Sequence, residues 1–262
     1  MKLTVLISCM HQKDASIIAR SNIQTDVVII NQCDEDSTNT IVFMNKNGEE
    51  CICKMINTTS RGLSKSRNMA INAAGDVDVC VICDDDEVFP DNYEEVILSA
   101  YSSNPNLSVA CFAIDWEKRE YPKIKQKMNF RQILRTSSQQ ITFLRDKVLE
   151  HNILFDEKMG SGTGNGGGEE NKFLLDCRKV GLQMIYYPQK IATICKGESQ
   201  WFHGYTEKFF RNQGWSVRRL LGTIFGYAYI WYYAFKHYRL YKRNIGFFSA
   251  IVNMHKGYLE KR

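Results

Sequence analysis

Asp78-Val79-Cys80-Val81-Ile82-Cys83-Asp84-Asp85-Asp86-Glu87 is the stretch on which the fold turns. A short, continuous apolar run with β-branched members reads as a strand buried on both faces, because a half-exposed strand would alternate apolar with polar residues. Four carboxylates follow it at once. Ligands of open α/β sheets bind beyond the carboxyl ends of the strands, so acids at this place point to a site. Leu3–Cys9 and Val27–Asn31 share the strand's texture. The segment Leu63–Ala74 reads as a helix that sets Leu63, Met69, Ala70, Ala73 and Ala74 toward the core and ends at Gly75. A second helix is expected from Asp91 to Ser102, then strands at Ser108–Ile114 and Gln140–Leu144, with a polar, basic excursion over 117–139 between them. Strands alternating with helices give an α/β fold with a mostly parallel, Rossmann-type sheet flanked by helices.

The chain has 262 residues, 44% of them hydrophobic and 24% charged, enough to bury a sizeable core and too apolar for disorder. Its net charge of +5 is unevenly placed. Residues 205–262 hold 11 Lys/Arg against Glu207 and Glu260, a net +9, whereas residues 1–204 hold 23 against 27 acids, a net −4. The nine cysteines are odd in number and sit mostly in apolar runs, as reduced core thiols do. Cys80 and Cys83 lie three apart on a strand and face opposite ways, which argues against a shared metal. Met1–Met10 gives way to polar His11-Gln12-Lys13-Asp14 without a small-residue cleavage site, and reads as a first strand rather than a signal peptide.

Asp84 and Asp86, two apart at a strand end, can turn toward one hard cation, Mg²⁺ or Mn²⁺, that leaves positions open for substrate phosphates. The alternative is a solvated acidic turn ahead of the next helix. Arg61-Gly62-Leu63-Ser64-Lys65-Ser66-Arg67-Asn68 gathers three cations and several N–H groups at a helix start, where Arg67 could meet a diphosphate or simply face water. Gly160–Gly168 contains six of the 17 glycines and runs into Glu169-Glu170. Its formal G-x-G-x-x-G lacks a preceding strand, so the dinucleotide reading fails. A mobile Gly-rich lid that delivers a carboxylate as general base is the expectation, against acids that merely favour a helix start.

In this order, the N-terminal strand, the strand Val27–Asp34 with its polar end, Gly62–Asn68, Asp84–Asp86 and Gly168–Glu170 resemble a family 2 glycosyltransferase of the GT-A fold over roughly residues 1–204. The resemblance implies inverting transfer of a sugar from a nucleotide diphosphate, usually UDP, to an acceptor hydroxyl, with Mn²⁺ or Mg²⁺ on the diphosphate. By the same resemblance Asp86 is the direct metal ligand with Asp84 beside it, Asp84 or Asp85 contacts ribose or nucleotide, and Arg67 stands by the diphosphate. Glu170 is implied as general base, with Glu169 as second candidate. The family's acidic pair at the nucleobase is replaced by Asn31-Gln32, with Asp34 a little later. His203, among aromatics, stands where related enzymes place a late residue that closes on the metal or diphosphate; a packed core histidine is the alternative.

Beyond about residue 204 the chain reads as a basic, aromatic helical extension, so the expected domains are 1–204 for nucleotide-sugar binding and catalysis and 205–262 for the acceptor or membrane side. Leu220–Phe235 is 16 residues without a charge, short of the roughly 20 that span a bilayer. Aromatics beside cations suit an interfacial helix on an anionic leaflet, or equally a helix packed on the body. The implied partners are a nucleotide-sugar donor, a saccharide or lipid-linked saccharide acceptor, and an anionic membrane surface, with no nucleic acid. Synthesis of a surface polysaccharide in the cytoplasm, at the inner face of the plasma membrane, is the expected role. A metal-dependent nucleotidyltransferase and a non-catalytic nucleotide- or carbohydrate-binding module are the rival readings.

Overall fold

A computed structural model describes residues 1–116, 119–195 and 204–261. The first half runs β1 (Leu3–Met10), α1 (Ile17–Arg20), β2 (Asp26–Gln32), β3 (Ser37–Met44), β4 (Glu50–Thr58), α2 (Leu63–Ala73), β5 (Val79–Asp84), β6 (Glu87–Val88), α3 (Tyr93–Ser102) and β7 (Leu107–Asp115). The second half adds β8 (Gln126–Lys127), α4 (Phe130–Ile133), a 3₁₀ turn at Ser138–Gln140, β9 (Ile141–Leu144), α5 (Arg145–Glu150), α6 (Glu169–Lys179), β10 (Gln183–Ile194), α7 (Glu207–Tyr241) and α8 (Phe247–Leu259).

Nine strands lie in the order β3-β4-β2-β1-β5-β9-β7-β10-β6, and β8 pairs off this path with β10. Strands β4, β2, β1 and β5 are parallel, as are β7 and β10. Between β5 and β7 lies β9, antiparallel to both, so all the parallel strands end on the same side. That edge carries Asp84 and Asp115. The sheet splits the core in two, with Val5, Ile7 and Cys83 in one layer and Leu6, Ile82 and Cys80 in the other. Cys80 and Cys83 therefore do face opposite ways. Burial pushes the Cys80 thiol up to about 12 and Cys83 well above its ordinary value, so both serve as core hydrophobes.

Three features add to the sequence reading. The helix over Leu63–Ala73 sets Ala70 in the core with Met69, Ala73 and Ala74 packed against it, as periodicity predicts, and also buries Ser64, Ser66, Arg67 and Asn68. These polar groups find partners at the strand ends and in the loop before α6, Ser66 on Ser8, Arg67 on Asp84 and Glu169, and Asn68 on Phe155. The sequence does not announce the β3–β4 hairpin: β3 is an edge strand, polar over 37–40 and apolar over 41–44, exposed along almost its whole length. Strand β10 was hidden by Pro188-Gln189-Lys190, which sits at a shift in its pairing with β7.

Beyond the sheet, α7 and α8 form an antiparallel hairpin around Phe210, Ile230, Ala234, Tyr241 and Met254. Gly214 and Gly257 set its closeness. A Cβ at Gly257 would stand 1.7 Å from the Arg211 carbonyl oxygen, and one at Gly214 1.9 Å from that of Met254. At Gly222 (φ 70°, ψ −167°) α7 kinks, and its first half lies against the body through an Arg219–Asp156 ion pair. Gly257→Val should therefore lower stability by about 1–3 kcal/mol through overpacking. Gly246→Ala, whose added Cβ meets nothing within 4 Å, should stay within about 0.5 kcal/mol. Urea midpoints of the two variants check the contrast.

Candidate active site

The end of β5 and the start of α6 meet at one buried guanidinium. Arg67, on the inner face of α2, is only 2% exposed. Its Nη2 donates to Asp84 Oδ1 at 2.9 Å and its Nη1 to Glu169 Oε1 at 3.1 Å. Burial works against the charge, but Asp84 and Glu169 outweigh it, so the arginine holds its proton above its ordinary range. The guanidinium also stacks over the Phe155 ring at 5.4 Å. Its Nε has no hydrogen-bond partner among the described residues. The diphosphate expected beside Arg67 would thus find both ends of the fork already engaged by carboxylates.

Asp84 is fixed from its other side too. Its Oδ2 accepts from Ser138 Oγ at 2.9 Å and from Gln139 Nε2 at 3.0 Å. These two residues went unnoticed in the sequence, where Ser137-Ser138-Gln139-Gln140 is the only trace, a polar run just before a strand. Glu87, the fourth acid of the run, turns inward and accepts the Asp84 N–H at 2.6 Å. Burial first, and then Asp84, hold its carboxyl well above the usual range. With its charge disfavoured by burial, Glu87 adds less to the repulsion among the four adjacent acids. Asp85 and Asp86 stay exposed in the turn after β5. Partial desolvation and the charge of Asp84 raise both, and Asp85 adds to the effect on Asp86.

Among the described residues no three His, Cys, Asp or Glu side chains close into a metal cage. The exposed carboxylate of Asp86, with Asp84 beside it, nevertheless fits Mn²⁺ or Mg²⁺, which bind through one or two carboxylates and complete their shell with phosphate and water. His203 lies outside the described residues.

The glycine-rich segment packs against α2 and α7. Leu63 N–H donates to the Ser161 carbonyl at 2.9 Å, and Ser64 Oγ to that of Met159 at 2.8 Å. A Cβ at Gly166 would meet Ser216 Oγ of α7 at 1.9 Å, and one at Gly160 the Glu169 carboxyl at 2.9 Å. Glycine is needed here for close approach as well as for turning. Beyond the loop, Glu169 is buried and tied to Arg67, while its neighbour Glu170 is half-buried without an ion pair among the described residues. Desolvation, and then the charge of Glu169, raise the Glu170 carboxyl to about 8. A base held near working pH is suited to proton transfer.

At the end of β2 the amide of Asn31 faces inward. Its Oδ1 accepts Gln12 N–H at 2.9 Å, while its Nδ2 donates to the Gln12 carbonyl at 2.9 Å and to Asn57 Oδ1 at 2.8 Å. Gln32 Oε1 accepts Gly62 N–H at 2.8 Å, fixing the residue that opens α2. Asp34 is exposed and paired with Arg61 at 2.8 Å. At the end of β7 a cleft of about 340 Å³, missed in the sequence, is lined by Trp116, Arg119, Tyr121 and Lys123. Arg119 donates to Ser137 Oγ at 3.4 Å, one residue from the serine that holds Asp84.

Comparison with known proteins bears on this arrangement. The sequence model of Glycosyl transferase family 2 matches residues 14–162. No curated protein matches the chain significantly. Among solved structures, S. aureus TarS 1-349 in complex with UDP-GlcNAc superposes with a TM-score of 0.59 at 14% identity, covering 93% of this chain and 74% of that one. The same protein in complex with UDP gives 0.59 at 13% identity, with the same coverage. The mannosyltransferase PcManGT from Pyrobaculum calidifontis, in complex with GDP-Man and Mn²⁺, gives 0.51 at 13% identity over 98% of this chain and 73% of that one. These likenesses establish the GT-A fold.

Arg67→Met would strand Asp84 and Glu169 and should cost about 3–5 kcal/mol, read from urea unfolding. Glu170→Gln should act in the opposite sense. With its carboxyl raised by folding, the folded chain holds a proton that the unfolded chain has lost, so stability falls as pH rises between the ordinary carboxylate value and about 8. The glutamine variant removes that loss, so its thermal midpoint should exceed the parent's by more at pH 8 than at pH 5.

Proposed function

Because the chain belongs to glycosyl transferase family 2, we propose that it moves a sugar from a nucleotide diphosphate, preferably a UDP-sugar, to an acceptor hydroxyl with inversion at the anomeric carbon. The Asp84–Arg67–Glu169 link carries this reading, because it brings the acidic strand end and the Glu169-Glu170 helix start to one place. Structural neighbours solved with UDP-GlcNAc, UDP, and GDP-Man with Mn²⁺ support the donor class.

In this proposal Asp86, with Asp84 beside it, holds Mn²⁺ or Mg²⁺, and His203 is a further candidate ligand. When bound, such an ion neutralises the charge that develops on the departing diphosphate. Asp85 serves the ribose. Asp34 offers its carboxylate on the nucleobase side, and Asn31 and Gln32 shape that side through the backbone they hold. Arg67 orients Asp84 and Glu169 and lends a positive field behind the diphosphate. Glu170 accepts the proton of the attacking hydroxyl, the acceptor oxygen bonds to the anomeric carbon, and the bond from that carbon to the diphosphate oxygen breaks on the opposite face. The nucleoside diphosphate leaves, and no covalent sugar–protein bond forms. Glu169, engaged by Arg67, is the second candidate base.

The cleft at Trp116 suits the acceptor, since an exposed indole offers a saccharide a flat apolar face. The acceptor is a growing cell-surface polysaccharide or glycoconjugate, free or lipid-linked, met at the cytoplasmic face of the plasma membrane. Residues 1–204 act as the catalytic domain and 205–262 as an extension with its own core, as the apolar cluster between α7 and α8 supports.

Calorimetric titration with UDP should show binding strengthened by Mn²⁺, and Asp86→Asn should cut the metal-dependent part by about tenfold or more. Glu170→Gln should bind UDP as the parent does yet lose about 10²–10⁴-fold in transfer. Near-normal turnover in that variant would move the base to Glu169. Screening nucleotide sugars for hydrolysis with Mn²⁺ identifies the donor.

A further inference from the structure

Past Gly222 the α7–α8 hairpin presents a broad apolar face that the other described residues leave uncovered. On α7 Ile224, Tyr227, Trp231 and Phe235 stand three to four residues apart along one side of the helix, Ile224 and Phe235 each 80% exposed. On α8 Phe248 (74% exposed), Val252 and Leu259 continue the face. The two stripes join through His255, whose ring lies 4.9 Å from that of Tyr227 and 6.1 Å from that of Trp231. Residues 208–259 contain no Asp or Glu. Lys236, Arg239, Lys242 and Arg243, at the end of α7, form no ion pair among the described residues.

We propose that this face docks the protein on an anionic lipid surface, with the aromatic stripe in the headgroup and upper acyl region and the α7–α8 turn on the phosphates. Two features single out lipid over a second copy or a further protein segment. An exposed apolar stripe edged by unpaired cations, with no carboxylate over 52 residues, matches the chemistry of an anionic leaflet. A second copy would set these cations against their own kind. The described helices include none long and apolar enough to cross a membrane, so the hairpin lies on the surface. Its other half reaches the catalytic body, where Ser216 and Asn212 of α7 pack on Gly166 and Arg219 pairs with Asp156. Docking would therefore hold the Glu169-Glu170 end of the body near the bilayer, where a lipid-linked acceptor is presented. That consequence rests on the glycosyltransferase reading above, whereas the docking itself does not.

The full chain is sedimented with extruded vesicles of phosphatidylcholine alone or with about 30 mol% phosphatidylglycerol. Phe235→Ser/Phe248→Ser and Lys236→Gln/Arg239→Gln/Lys242→Gln serve as variants, all at exposed positions, with UDP titration of each alongside. The parent should pellet with the anionic vesicles and be released by salt. The triple variant should lose about fivefold in partitioning per cation removed, and the serine pair should lose most binding, while both keep the parent's response to UDP. A parent that stays in the supernatant, or variants that pellet as it does, would overturn the proposal. So would a concentration-dependent dimer that the serine pair abolishes without any vesicle binding, because the face would then belong to a second copy. Failure to bind UDP in the parent would count against the proposed function and leave the vesicle result standing.

Discussion

A guanidinium buried to 2% exposure at the edge of an apolar sheet persists only if its charge is answered nearby, and Arg67 is answered by Asp84 and Glu169. Each contact joins segments far apart in sequence: α2 with the end of β5, and α2 with the start of α6. Removing the arginine would leave two carboxylates facing each other in a desolvated space, and removing either acid would leave a buried cation half-paired. Ser138 and Gln139 hold Asp84 from behind, Gly160 gives the Glu169 carboxyl its room, and Gln32 sets the residue that opens α2. The positions of the acids that a glycosyl transfer would use are thus set by one cation and its supports.

The remaining acids of the strand end are sorted by how much water they keep. Glu87 is turned inside, where burial disfavours its charge, whereas Asp85 and Asp86 stay at the surface, raised by partial desolvation and by Asp84, and Asp86 also by Asp85. A cation beside Asp86 would offset that cost. Glu170, half-buried beside Glu169, has its carboxyl raised to about 8 by desolvation and then by the charge of Glu169. Identical chemical groups, a few residues apart, acquire different proton affinities from solvation and neighbouring charge.

Much of this was legible in the sequence because the central strands are continuous apolar runs, and Asp84–Asp86 ends the clearest of them. The antiparallel β9 was readable for the same reason. What escaped had no such signature. Strand β3 lies exposed at a sheet edge and turns from polar to apolar at Ile41, β10 is interrupted by Pro188, and beside its apolar face α2 buries Ser64, Ser66, Arg67 and Asn68, which hydrophobic periodicity does not show. Glycine count correctly marked Gly160–Gly168 as special, but composition alone could not separate a free lid from a loop pressed between α2 and α7. Asn31 and Gln32 were visible as a departure from the family's acidic pair; only the fold shows that their amides are turned inward onto Gln12 and Gly62.

The most direct measurement is a double-mutant cycle on Asp84→Asn and Glu169→Gln, read by urea unfolding with Arg67 intact. Two carboxylates sharing one buried guanidinium should be coupled by about 0.5–3 kcal/mol, with the second substitution felt differently once the first is made. Additivity within about 0.3 kcal/mol would mean that the two acids act independently, and Arg67 would not be the joint that brings the halves of the site together.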